Sequence, residues 1–218
     1  SDYSWHDHSG DLPLMGRPRK DAFDEATDLR VLKAAEEAFG VHGYRQARLE
    51  DIASQAGIRR PSLLYHFGSK EALYKRVVER AFLKLNEAFF VGAQVQGEFP
   101  ERVDAITRGL VREAGEHRFL MAVIMRALLD RSEGGQTLVE AHFLPLVNTL
   151  ESFVKSEGGG HYPEDFPVRS AVLQSVMSHI VFAATGHMDD SLWTDGDQTV
   201  RLTRSLLLGD RTSHEGEA

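Results

Sequence analysis

The stretch from Leu49 to Lys70, LEDIASQAGIRRPSLLYHFGSK, restricts the fold more than any other part of the chain. Leu49, Ile52, Ala53 and Ala56 recur at helical spacing and mark one buried face. Gly57 follows where that helix must stop, because glycine enters the left-handed region at little cost. Arg59, Arg60 and Pro61 restart the chain at once. Proline suits a first helical turn, whose N–H lacks an intrahelical partner. With about 100° between successive side chains, Leu63 and Phe67 turn inward, while Ser62, Tyr65 and His66 turn outward. Leu64 and Arg60 fall at the edge of the buried face. Two small helices joined by so short a turn form a helix-turn-helix, whose second helix reads the major groove of DNA.

Charge placement at this turn works against local stability. Arg59 and Arg60 sit at the positive end of a helix, where a cation costs a few tenths to about 1 kcal/mol. No Ser, Thr, Asp or Asn caps that helix, although a cap contributes about 1 kcal/mol. Two broken local rules at one place point to a site, and phosphates would neutralise the arginines. A pair of solvated arginines is the alternative. The net charge of −8 does not oppose this reading once it is divided along the chain. Residues 16–80 hold 13 basic and 10 acidic side chains, whereas residues 81–218 hold 12 basic and 20 acidic ones. Positive charge is therefore local to the helix-turn-helix half, where phosphate binding needs it.

The segments VLKAAEEAF, HGY, DIASQAGI and LLYHFGSKEALY follow one another between Val31 and Ala81. Together they resemble the DNA-binding domain of the TetR family of bacterial transcriptional regulators. The resemblance implies a homodimer that binds a double-stranded DNA operator and answers to a small-molecule effector. It implies an all-α fold, with an N-terminal three-helix helix-turn-helix domain on a larger C-terminal bundle, about nine helices in all. It also implies that Lys70 grips a phosphate. The family usually has Thr, then Ser or Thr, where this chain has Ala47 and Arg48, so Arg48 would supply a charge contact instead of a hydroxyl. Arg59, Arg60 and Pro61 stand where the family often has Ser-Lys-Gly, so no relative's operator transfers to this chain.

The expected domains are residues 1–20 as a leader with a basic arm, 21–68 as the DNA-binding domain, 69–210 for sensing and dimerisation, and 211–218 as a frayed tail. Residues 1–14 fit no element, and Met15 is a candidate natural start. Gly16-Arg17-Pro18-Arg19-Lys20 reads as a basic arm for the minor groove, or as a solvated tail. The candidate DNA contacts are thus Arg17, Arg19, Lys20, Arg48, Arg59, Arg60, Ser62, Tyr65, His66 and Lys70. There is no cysteine for a disulfide or a thiolate metal site, and no apolar run of the ~18 residues that a membrane crossing requires. A cytoplasmic protein is expected.

Helices are predicted from Phe23 to His42, from Lys70 to Val95, from Pro100 to His117 and from Phe119 to Ser132. Gly134-Gly135 then breaks the chain, and a long helix from Gln136 to Ser156 is kinked by Pro145. Two last helices run to about His187 and Leu208. Tyr44 is expected under the reader helices. The family's dimer is made by its last two helices, which assigns Val172, Val176, Ile180, Ala184, Leu202 and Leu206 to the interface. Phe89, Phe90, Leu110, Phe119, Met121, Met125, Phe143, Phe153 and Met177 are candidates for an apolar effector pocket, and equally for ordinary core. His117, His142 and His179 are possible polar contacts there. No cofactor, metal set or catalytic motif is expected. A ligand-independent regulator, an activator, and an all-helical enzyme with an unrecognised site remain as alternatives.

Overall fold

A computed structural model describes residues 20–130, 133–159, 162–186 and 196–208. Within them the fold is all-α. Helix α1 spans Lys20–Gln46, α2 Leu49–Gln55, α3 Arg60–Phe67, α4 Lys70–Ala93, α5 Phe99–Glu116 and α6 Arg118–Leu129. Then come α7 (Glu133–Leu138), a π-helical turn (Val139–Phe143), α8 (Leu144–Glu157), α9 (Val168–Ala184) and α10 (Gly196–Leu208). Counting α7, the π turn and α8 as the continuous helix they form, nine helices stand among the described residues. No described helix is long and apolar enough to cross a membrane.

Local chemistry accounts for the boundaries that matter. Gly43 has φ 75° and ψ 171°, so α1 is broken one residue past the predicted end and resumes for a final turn. Ser69 accepts a hydrogen bond from the Ala72 amide at 3.0 Å and caps α4, as its position implies. The glycine pair 134–135 lies inside α7 rather than ending a helix. Pro145 does not simply free a carbonyl. Ahead of it the Leu144 amide bonds the Val139 carbonyl, five residues back, and this wider turn absorbs the lost ladder bond.

One apolar core runs from Val31 on α1 to Leu208 on α10. Helix α4 packs along α5 and also touches α1, α3 and α6, while α6 lies between α1 and α9. Tyr44 packs at a tilt on Tyr74 of α4, with ring centroids 5.0 Å apart. The half carrying the helix-turn-helix is thus joined to the bundle by packed helices. An ion pair of 2.6 Å between Glu36 of α1 and Arg80 of α4 crosses the join. A second link is Arg126 of α6, which donates to the Gly40 carbonyl at 3.1 Å and the Val41 carbonyl at 2.9 Å. The break at Gly43 leaves α1 without the amides that would satisfy its last carbonyls, and the guanidinium takes their place.

Candidate nucleic-acid interface and effector cavity

The helix-turn-helix is assembled as its pattern predicts. Leu49, Ile52, Ala53, Ala56, Leu63 and Phe67 are all buried. Gly57 is left-handed (φ 71°). The Gly57 amide bonds Ser54 O at 3.0 Å and the Ile58 amide bonds Ala53 O at 2.9 Å, a paired C-terminal lock that fixes the angle of the turn. Neither Arg48 before α2 nor Arg59 before α3 caps its helix with its side chain. Both arginines are exposed, as are Ser62 and Tyr65, the latter 83% accessible. Arg60 is paired to Glu50 of α2 at 3.3 Å, and both side chains are about half exposed, a pair worth no more than about 1 kcal/mol. Lys70 opens α4, with its ammonium 3.3 Å from the Arg45 carbonyl and 4.9 Å from the centre of the Tyr44 ring. Arg48, Arg59, Ser62 and Tyr65 are thus exposed at the starts of α2 and α3 and along α3, and Lys70 is half-buried at the N-terminus of α4.

His66 is a correction. Its Nδ1 lies 2.8 Å from the carboxylate of Asp28, and only 14% of its side chain is exposed. It links α3 to α1, half-buried, while its ring stands edge-on to Tyr65 with centroids 5.6 Å apart. Arg17 and Arg19 lie outside the described residues, and of Lys20 only the backbone, the first residue of α1, is described.

The structure does not gather the pocket candidates around one void. An apolar cavity of about 40 Å³ lies among α5, α8, α9 and α10, and of the nine candidates Leu110 and Phe153 line it. Phe89 and Met121 are buried in the core, Phe143 packs on Phe82, and Phe90 is 52% exposed. Phe119 and Met125 line a different feature, an open cleft of about 590 Å³ beside the end of α1. Phe and Met report that a region is apolar; they do not locate a void. Of the three histidines, His142 stacks on Phe82 and His117 lies 3.7 Å from Glu113, away from the cavity. Glu113, Glu116 and His117 bring possible ligand atoms within 4.8 Å of one another, in a partly exposed group. His179 alone lines the cavity. Burial pushes its pKa below the usual histidine value, against a weaker opposing effect of the Ser175 carbonyl.

The proposed dimer residues also need revision. Val172, Val176 and Ile180 are buried inside the subunit, and the first two line the cavity. Ala184 and Leu206 are half-buried, and Leu202 is 52% exposed. On α9 the half-buried residues Leu173, Met177, Val181 and Ala184 form a second stripe at helical spacing.

Residues 31–77 match the model of a family described as bacterial regulatory proteins, tetR family. The N-terminal domain belongs to the TetR family. The HTH-type transcriptional regulator RutR of Escherichia coli K12 is 46% identical to the chain over 50 residues, which are 23% of this chain and 24% of that protein. The chain thus matches about a quarter of the length of this relative. Solved structures extend the likeness of fold beyond the TetR-family domain. A TetR-like transcriptional regulator from Rhodococcus sp. RHA1 superposes with a TM-score of 0.67 at 20% identity, over 83% of this chain and 93% of that one. The transcriptional regulator FadR from Bacillus subtilis, solved with stearoyl-CoA, gives 0.67 at 16% identity, over 83% and 98%. The relatives matched by sequence are transcriptional regulators rather than enzymes.

Proposed function

We propose that this protein is a dimeric cytoplasmic transcriptional regulator that represses from a palindromic operator and is released by a small, largely apolar effector. The observation that carries the reading is the outer face of α3. Arg59, Ser62 and Tyr65 are exposed there on a helix locked at its N-terminal turn, within a TetR-family domain. Such a helix enters the major groove, while Arg48 and Lys70 flank it to meet phosphates. Dimerisation draws support from α9. Its buried side faces the subunit core, and its second stripe leaves Leu173, Met177, Val181 and Ala184 half covered. A helix apolar around most of its circumference is buried on more than one side. Leu202 and Leu206 of α10 extend the same surface. FadR from Bacillus subtilis holds stearoyl-CoA on this fold. A cavity of about 40 Å³ is too small for such a chain, so the effector here is a smaller molecule.

Selection of bound duplexes from a random pool, followed by footprinting, tests the reading. The expected result is a two-fold site whose half-sites are spaced by about one helical turn or a multiple of it, occupied by a dimer in sedimentation. With roughly 6–10 phosphate contacts, affinity falls by about 10³–10⁵ between 50 and 200 mM salt. A pool that never enriches refutes the DNA-binding reading, and binding by a monomer refutes the dimer.

A further inference from the structure

The cavity among α5, α8, α9 and α10 contains one unusual atom. His179 Nε2 is buried and has no hydrogen-bond partner among the described residues. The residue as a whole is only 4% exposed. Leaving a buried acceptor unpaired costs about 1–3 kcal/mol, so such an atom calls for an explanation. The other ring nitrogen settles its chemistry. Nδ1 faces the Ser175 carbonyl oxygen, one turn back on α9. A carbonyl can only accept, so Nδ1 carries the hydrogen. The ring is neutral, because burial disfavours its charged form. Nε2 therefore presents a lone pair.

Two of the three lining hydroxyls have the same polarity. Ser175 Oγ donates to the Ala171 carbonyl at 2.9 Å, and Thr107 Oγ1 donates to the Val103 carbonyl at 2.7 Å. Each has spent its hydrogen and can only accept from anything in the cavity. Thr203 adds the third hydroxyl, and the remaining walls, among them Ile106, Val172, Leu207 and the Phe153 ring, are apolar. The open cleft beside α1 has no comparable buried, unpartnered polar atom.

We propose that this cavity is the effector site, and that it selects a small apolar molecule carrying one hydroxyl or N–H group, whose hydrogen His179 Nε2 accepts. The proposal rests on the regulator reading above and adds the chemical class of the effector. An acceptor-only molecule of the same shape, or a carboxylate, would face a lone pair and leave it unpaired. The volume of about 40 Å³ holds about three waters, or one molecule of about three or four non-hydrogen atoms, well below the ~150 Å³ of a cavity that binds benzene. Thr203 and Leu207 bring α10 into the wall. The same helix carries Leu202 and Leu206 toward the proposed dimer surface, so an occupant bears directly on the element that sets the spacing of the two reading heads.

The test uses the full-length protein with two probes of nearly one shape and four non-hydrogen atoms each, propan-2-ol and acetone. Binding is followed by the ring-nitrogen resonances of ¹⁵N-labelled histidine, and His179 is assigned by its loss in His179→Leu. The expected result is an Nδ1–H tautomer for His179, an Nε2 resonance that shifts with propan-2-ol, and at least about tenfold tighter binding of the alcohol than of the ketone. His179→Leu should bind both alike; if that variant does not fold, the tautomer and the probe preference of the parent decide the matter. Equal binding of the two probes, or an Nε2–H tautomer, overturns the proposal. So does failure of both to bind while the protein still holds its selected operator, since the cavity is then a packing void or a water site and only the DNA-binding reading survives. Failure to select any operator overturns the regulator reading itself, and this proposal falls with it.

Discussion

Gly40→Ala tests whether the two halves of the molecule are joined as closely as the structure shows. Gly40 lies on α1 where it crosses α6. A Cβ there would sit 2.8 Å from the Phe119 carbonyl oxygen and 3.1 Å from Phe119 Cα. Both are main-chain atoms of α6, so no side-chain rotation relieves the clash. Two effects compete. Alanine in a helix gains about 1 kcal/mol over glycine. Overpacking against a rigid neighbour costs about 1–3 kcal/mol. Pushing the helices apart also stretches both Arg126 bonds, and a hydrogen bond from a charged donor contributes about 1.5–3 kcal/mol. The clash and the strained bonds together outweigh the propensity gain, for a net loss of about 1–3 kcal/mol. For a chain of 218 residues that is a fall in Tm of about 2–10 °C. Gly115→Ala is the control, because its Cβ meets nothing within 4 Å. The assay is thermal unfolding by circular dichroism, with urea midpoints at an unchanged slope. Gly115→Ala should hold or raise the Tm slightly. A Gly40→Ala protein as stable as that control would refute the claim of a close α1–α6 contact.

Arg59→Ala should weaken operator binding and lower the slope of log affinity against log salt by about 1 if it meets a phosphate, or relax one base preference at an unchanged slope if it reads a base. His66→Ala should act differently, lowering the melting temperature through loss of the Asp28 contact while leaving the salt slope unchanged. Replacing Arg17 and Arg19 by Ala should weaken binding most on A·T-rich flanks, and equal loss on G·C-rich flanks would reduce the segment to a non-specific tail. His179 gives a pH test. Its pKa in the folded state is lowered, so as pH falls below about 6.5 the unfolded chain takes up the proton first. The stability it contributes is present above that pH and declines below it, and urea midpoints of His179→Leu should lose that part of the slope.

The sequence made the reader domain legible because its signals are local and mutually consistent. Leu63 and Phe67 are placed by helical period, Gly57 by the turn's demand for φ above zero, and Ser69 by the cap it makes. His66 escaped because its direction is decided by α1, whose Asp28 arrives from 38 positions away. The second stripe of α9, proposed for the dimer, escaped for another reason. Helix α9 is apolar on nearly every side, so its pattern has no phase. Nothing in the sequence tells Val172 and Val176, which are fully buried, from Leu173 and Met177, which are half-buried against the core. Arg126 had a usable signal that went unread, as a single charge inside the run FLMAVIMRALL of α6. A cation in so apolar a helix needs a partner.

That arginine holds main-chain oxygens rather than side chains, which makes the join between the halves asymmetric in what mutation can do to it. Every residue type offers the same carbonyl, so Val41 can be exchanged for almost any other residue without erasing the contact. Arg126 has no such latitude, since one substitution removes both bonds. The specification for aligning the DNA-reading half with the bundle is therefore written at one address, on α6. Side-chain drift at Val41 would leave this link intact, while a single change 85 positions further on would remove it and leave the join to the Glu36–Arg80 pair and the packed core.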